Sequence, residues 1–220
     1  MDDLVVTGGE VAGGAGAGSR RLVLATANDH KVRELRAILE RSGALGDGEI
    51  VALASLGVDS PVEDGLTFAD NALLKAHHAV AATGLPCVAD DSGLCVAALS
   101  GMPGVFSARW AGGHGDDAAN LRLLLDQLRD VVDAQRDAWF ECAAVLVRPD
   151  GCESVEYGRM PGRLARQPRG SGGFGYDPIL IPDGMDLTAA ELTSEQKNAI
   201  SHRGKAFRAL APAIKLALNR

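Results

Sequence analysis

Aromatic side chains are scarce, at 4% of 220 residues, and basic charge is outnumbered: 22 Lys and Arg stand against 29 Asp and Glu, for a formal net charge of −7. That balance argues against a nucleic-acid polymer as the main partner, because phosphate backbones are met by basic surfaces. An anionic small molecule is compatible with it where local cations or a metal receive the charge. Cys87, Cys95, Cys142 and Cys152 contain no Cys-x-x-Cys pair, so a zinc site is disfavoured and buried thiols in a reducing compartment are expected. No apolar run approaches the roughly 20 residues of a membrane span. The start, Met1-Asp2-Asp3, lacks the apolar core of a signal peptide. A cytoplasmic protein without a membrane partner is the expectation.

What is present is an ordinary globular composition, 46% apolar, in a chain long enough for a substantial core. Residues 1–19 carry Gly8, Gly9, Gly13, Gly14, Gly16 and Gly18 with little to bury, which predicts a flexible tail. No composition shift follows, so residues 20–220 are expected to form a single domain.

The stretch Cys87-Val88-Ala89-Asp90-Asp91-Ser92-Gly93-Leu94 dominates what remains. Small apolar residues before the acids predict a buried strand, with Ser92-Gly93 as the turn leaving it. Ligands of open α/β sheets sit at the carboxyl ends of strands, and adjacent carboxylates there need solvent or a cation. Successive side chains of an extended chain point to opposite faces. Asp91 is therefore the candidate for chemistry, and Asp90 a supporting residue held by water or a lysine.

Arg21–Ala25 predicts a strand, Thr26–Lys31 a polar turn, and Val32, Leu35, Ile38 and Leu39 a helix. That order aims a helix N-terminus at an anion. Lys31 opposes the helix dipole unless a phosphate lies beside it, although the Walker A glycines are missing. Residues 48–53 predict a second strand. Thr67–Asp70 resembles a capping box, and in the helix it opens Asn71 and Lys75 share one side. Ala97–Leu99 is expected to be buried. Asp116 or Asp117 caps a helix striped by Leu121, Leu124, Leu125 and Leu128, and His114 belongs to the loop before it. Ala138–Val147 and Glu153–Tyr157 predict a hairpin, and hence a mixed sheet. Gly170–Pro178 sets Phe174 and Tyr176 among glycines, where flat faces can stack a base. Lys197, His202, Arg203 and Lys205 gather cationic groups before a last helix with Phe207, Leu210, Ile214 and Leu218 inside.

Six stretches in order carry a resemblance: Ala25-Thr26-x-Asn28-x-x-Lys31; Glu63-x-Gly65-x-Thr67-Phe68-x-x-Asn71-Ala72-x-x-Lys75-Ala76; Ala89-Asp90-Asp91-Ser92-Gly93-Leu94; Pro103–Arg109; Gly172–Pro178; and Ser201-His202-Arg203-Gly204. From residue 21 almost to the end the chain resembles the inosine/xanthosine triphosphate pyrophosphatases, the Ham1-like family. The resemblance implies an α/β fold with an elongated central mixed sheet flanked by helices, and an active-site cleft between two lobes. It implies Mg²⁺-dependent hydrolysis of ITP, dITP and XTP to the monophosphate and pyrophosphate, cleansing the nucleotide pool, by a homodimer.

By matching position, the resemblance makes Asp91 the catalytic acid and a metal ligand, with Glu63 the second metal-side carboxylate. Thr26, Ala27, Asn28, Asp29, His30 and Lys31 would hold phosphates, with Lys75 and Ser92 lining the same site. Phe174, Gly175, Tyr176 and Asp177 would hold base and sugar, and Lys197, His202 and Arg203 would contact the base. Asp29-His30 replaces the small pair the family pattern has after Asn28. The alternatives are a Maf-like pyrophosphatase of other base preference and a non-catalytic nucleotide-binding module.

Overall fold

Side-chain alternation along one long strand decides what meets on each face of this protein. The computed structural model describes residues 20–26 and 29–219; the expected tail, with Ala27 and Asn28, lies outside the described residues. Strands β1 (Arg21–Leu24), β2 (Glu49–Ala52), β3 (Cys87–Val96), β4 (Asp137–Val147), β5 (Glu153–Leu164) and β6 (Leu180–Pro182) form one sheet in the order β2-β1-β3-β4-β5-β6. The first three run parallel, and β3 to β6 are antiparallel neighbours. The expected mixed α/β sheet is what forms.

Among the described residues five α-helices flank it: α1 (Asp29–Arg41), α2 (Phe68–Thr83), α3 (Asp117–Gln127), α4 (Ser194–Ile200) and α5 (His202–Leu218). Even-numbered residues of β1, β3 and β4, such as Leu24, Val88 and Ala144, pack with Leu35 and Leu39 of α1 and Phe207, Leu210 and Ile214 of α5. Odd-numbered Val23, Cys87, Ala89 and Val145 pack with Ala72, Ala76 and Ala79 of α2. Farther along the even face, Leu94, Val96 and Phe140 meet Leu124 of α3 and Leu128, which caps its C-terminus. Each fully buried Leu or Phe contributes roughly 1.5–3 kcal/mol over exposure, so both faces hold the helices firmly. None of the described helices is long and apolar enough to cross a membrane.

The structure differs from the sequence expectation in four places. Ser92-Gly93 is not a turn, because β3 runs through it to Val96, paired with β4 at Ser92↔Cys142 and Gly93↔Glu141. Gly93 is small for another reason: a Cβ there would collide with Ser107 Oγ and the Gly104 carbonyl of the 3₁₀ segment Gly104–Arg109, which lies against β3. The return strand β5 extends past Tyr157 to Leu164. Its Gly158 and Gly162 admit the close backbones of His202 and Ile181, so they mark packing contacts where breaks would be read. Ala97 and Ala98 are exposed in a short 3₁₀ segment, because the strand ends at Val96. Finally, α4 is a separate helix, opened by a Thr193–Gln196 capping box.

The Thr67 capping box forms as expected: Asp70 N–H donates to Thr67 Oγ1 at 3.1 Å, and Thr67 N–H to Asp70 Oδ2 at 3.0 Å. Asp116 is the residue that caps α3. All four inward residues predicted for the last helix are buried.

Candidate active site

The parallel part of the sheet ends early. β1 pairs with β3 only at Val23↔Cys87 and Leu24↔Val88, and the Ala25 N–H to Val88 carbonyl bond, 2.9 Å, continues it by one step. Beyond that point β3 keeps β4 on one side while its other edge borders a cavity of about 480 Å³, which Gly93 and Leu94 also line. Because the sheet stops covering β3 there, side chains from both of its faces reach the same space. Asp91 enters from the α2 face and Ser92 from the α5 face.

On the α2 face the spacing of Asn71 and Lys75 does what it promised. The Asn71 amide donates to Asp91 Oδ2 at 3.0 Å, and its oxygen accepts the Gly65 N–H at 2.8 Å. One asparagine thus pins the loop bearing Glu63 beside Asp91. Lys75 Nζ lies 3.3 Å from Glu63 Oε1 and 3.8 Å from Asp91 Oδ1. Asp91 Oδ1 also accepts the N–H of Ser92 at 2.9 Å. Two carboxylates share one lysine, so the group carries a net negative charge in a poorly hydrated place. Such a charge favours a divalent cation.

The α5 face carries a second network. Asp90 is fully buried, and its partner is an arginine rather than the water or lysine expected: Arg203 Nε donates to Asp90 Oδ2 at 3.1 Å. Arg203 also reaches Glu34 Oε2 at 2.6 Å and Ser92 Oγ at 2.8 Å. Burial works against the Arg203 charge, but Asp90 and Glu34 more than offset it and raise its pKa. Above this network Phe174 is half-buried, with Lys197 Nζ 5.2 Å and the Arg203 guanidinium carbon 5.8 Å from its ring centre.

Lys197 is itself anchored, 2.6 Å from Asp177 Oδ2, and the same carboxylate oxygen accepts the Phe174 N–H at 2.8 Å. Tyr176 packs into the core beneath, with its hydroxyl donating to the Ser107 carbonyl at 3.0 Å. Burial, and then the charge of Asp117, push its phenol well above the usual range. Of the two aromatics in that loop, the partly exposed ring is therefore Phe174. His202 is buried and stacks on Phe140, with ring centres 4.9 Å apart.

Glu63, Lys75, Asp91, Ser92, Thr26, Phe174, Gly175, Tyr176, Asp177, Lys197, His202 and Arg203 all line this one cavity. Ala27 and Asn28 lie outside the described residues. Asp29, His30 and Lys31 form the first turn of α1, three to five positions after Thr26. Several residues the sequence reading left without a role also belong to the cavity or its supports. Asp117 Oδ2 accepts the Gly175 N–H at 2.8 Å across the rim. His114, assigned above to a plain loop, lines the rim. Glu34 had no local signal at all, because its partner Arg203 is 169 positions away.

The family model described as the Ham1 family matches residues 22–213. The chain belongs to the Ham1 family. Among its relatives is a dITP/XTP pyrophosphatase of Streptomyces coelicolor, 60% identical over 195 residues that span 89% of this chain and 97% of the relative. A solved Ham1 protein from Coxiella burnetii superposes with a TM-score of 0.81 at 40% identity, covering 90% of this chain and 99% of that one. A solved nucleoside-triphosphatase / dITP/XTP pyrophosphatase from Mycobacterium abscessus gives a TM-score of 0.72 at 53% identity over 88% of this chain and 99% of that one. In this Ham1-family chain the Glu63, Lys75 and Asp91 cluster lies at the point where the sheet opens.

Proposed function

We propose that this Ham1-family protein is a nucleoside-triphosphate pyrophosphatase that hydrolyses deaminated purine nucleotides (ITP, dITP and XTP) to the monophosphate and pyrophosphate. The observation that carries the reading is Lys75 bridging Glu63 and Asp91 in the same cavity that Phe174 and Lys197 line. The dITP/XTP pyrophosphatase relatives and the first turn of α1 following Thr26 support the same assignment.

Asp91 accepts a proton from the attacking water as the water oxygen bonds the α-phosphorus, and the bond from the α-phosphorus to the oxygen bridging it to the β-phosphorus breaks. The electron pair leaves with pyrophosphate. Phosphoryl transfer needs positioning and charge neutralisation more than covalent help. Lys75 and the N–H groups at the start of α1 supply both on the phosphate side. Glu63 and Asp91 would hold Mg²⁺, which ordinarily takes one or two protein carboxylates alongside phosphate oxygens and waters. When bound, the cation offsets charge on the triphosphate and its leaving group.

Phe174 stacks the base. A donor facing the base selects hypoxanthine and xanthine, which carry an acceptor oxygen at C6, over adenine, which carries an amino donor and would leave a buried donor unpaired. We assign this donor to Lys197, whose ammonium has hydrogens beyond the one given to Asp177. The protein works in the cytoplasm, as a homodimer.

Pyrophosphate release measured with Mg²⁺ on ITP, dITP, XTP, GTP and ATP tests the assignment. ITP, dITP and XTP are expected to turn over far faster than ATP, with Asp91→Asn inactive. Equal turnover of ATP and ITP sinks the substrate claim, and preference for pyrimidine triphosphates moves the protein to the Maf-like reading. Binding without pyrophosphate release makes it a non-catalytic module.

A further inference from the structure

A second cavity, of about 410 Å³, shares no lining residue with the cleft and opens between α3 and the segment after β5. Leu121, Leu125 and Pro168 form its apolar part, and Arg122, Arg129, Arg136 and Arg166 outnumber the one acid in the lining, Asp126. Four guanidinium groups around one hollow are out of keeping with a chain whose formal charge is −7.

Arg136 is the buried member, 2% exposed. It donates to the carbonyls of Leu128 at 2.7 Å, Leu164 at 3.0 Å and Ala165 at 3.2 Å. These bonds tie the end of α3 to the end of β5, which is reason enough for an arginine to be structural. They give it dipoles, however, and no counter-charge.

The two carboxylates at the cavity, Asp126 in its lining and Asp133 beside it, offset two of the four arginines and leave Arg122 and Arg136 in excess. Asp126 pairs with Arg129 at 2.7 Å, and Asp133 with Arg166 at 2.7 Å. Among the described residues neither Arg136 nor Arg122 has an ion pair. Burial, and then the charge of Arg166, lower the Arg136 pKa, and Asp133 offsets only part of this. A buried cation in that state is costly until an anion joins it.

We propose that this cavity binds an organic phosphate, with the phosphate held between Arg122 and Arg136 and an apolar body lying on Leu121 and Leu125. A phosphate dianion matches two guanidinium groups in charge, and it can accept from the fork of exposed Arg122 and from the terminal N–H groups that the three carbonyl bonds of Arg136 leave; a single carboxylate supplies half the charge. The cavity volume falls in the range of small-ligand sites, roughly 300–1,000 Å³.

Phenyl phosphate titrated calorimetrically into the full-length protein, with EDTA present to suppress metal-dependent binding in the cleft, tests this. Saturable one-to-one binding is expected. Arg122→Gln, an exposed position that leaves folding and pyrophosphate release unchanged, weakens it about tenfold or more, the size of one lost charge-assisted hydrogen bond. Arg136→Met abolishes it, and Lys197→Gln in the cleft leaves it unaltered. Inorganic phosphate binds about tenfold more weakly for want of the apolar body. Absence of saturable binding overturns the proposal. So does equal affinity in Arg122→Gln and wild type, loss in Lys197→Gln, or inorganic phosphate binding as tightly as phenyl phosphate. Because binding is read without turnover, these outcomes stand apart from the pyrophosphatase assay.

Discussion

The side-chain nitrogen of Asn71 lies 3.0 Å from Asp91 Oδ2, so one hydrogen bond joins the first turn of α2 to the middle of β3. Asn71 is fully buried and touches the acid rather than the cleft, which makes it a positioning residue. A hydrogen bond to a charged group contributes about 1.5–3 kcal/mol. Asn71→Ala is therefore expected to lower kcat for ITP by about 10- to 100-fold, with a much smaller change in KM. A fall confined to KM in steady-state kinetics would show that Asn71 serves binding instead.

Lys75 separates Glu63 from Asp91, and removing it has two effects of opposite sense. Lys75→Met leaves two carboxylates facing each other, so divalent-cation affinity measured by titration calorimetry rises, by about tenfold. Pyrophosphate release falls at the same time, because phosphate charge loses a nearby cation. Breaking one side of a buried ion pair costs about 3–5 kcal/mol, so the melting temperature drops without metal and recovers as metal is added. Unchanged metal affinity would detach Glu63 and Asp91 from the metal role.

Gly93 is held against Ser107 and Gly104. Gly93→Ala pushes the 3₁₀ segment Gly104–Arg109 off β3, and overpacking of this kind costs about 1–3 kcal/mol. For a protein of this size each kcal/mol lowers Tm by roughly 2–4 °C, readable by calorimetry. Gly84→Ala, at a helix end with open space around it, disturbs no neighbour and loses only the cost of a positive φ.

Thiol chemistry separates the four cysteines. Cys152 is exposed, while Cys87, Cys95 and Cys142 are buried. Burial pushes the Cys87 thiol up to about 12. Burial and then Glu141 push Cys95 up to about 11. At pH 8 both remain protonated thiols, so iodoacetamide labels Cys152 alone in the native protein and all four after denaturation, as mass spectrometry will show. The raised values also set a direction for stability. Their contribution is fully present below pH about 9 and is lost as pH climbs through 11 to 12, so alkaline pH lowers Tm.

Much of the fold was legible because its signals are local. The Thr67 capping box, the Leu stripe of α3 and the inward face of α5 each follow from residues within a few turns of one another. Asp90 and Asp91 separate onto opposite faces as simple alternation requires. What escaped depends on distant partners. Gly93, Gly158 and Gly162 resemble breaks until the neighbouring backbones are in place, which is why β3 and β5 run longer than expected. Arg203 carries a basic signature like any surface charge, and only the fold delivers Asp90 and Glu34 to it. Phe174 and Tyr176 are indistinguishable in sequence, yet one ring meets the cleft and the other bonds to Ser107.

The early end of β1 leaves β3 to serve two sides of one cavity at once, and this makes the strand intolerant of a change in phase. Deleting or inserting one residue between Cys87 and Ala89 would turn the acid meant for Lys75 toward Arg203, and the acid meant for Arg203 toward Lys75. The same step would point the apolar residues of each face into the wrong core. A change of length is accordingly expected to be tolerated only outside the strand, as in the turn at residues 149–152. Within β3 the interval between the first buried thiol and the acid pair behaves as a fixed dimension of the site.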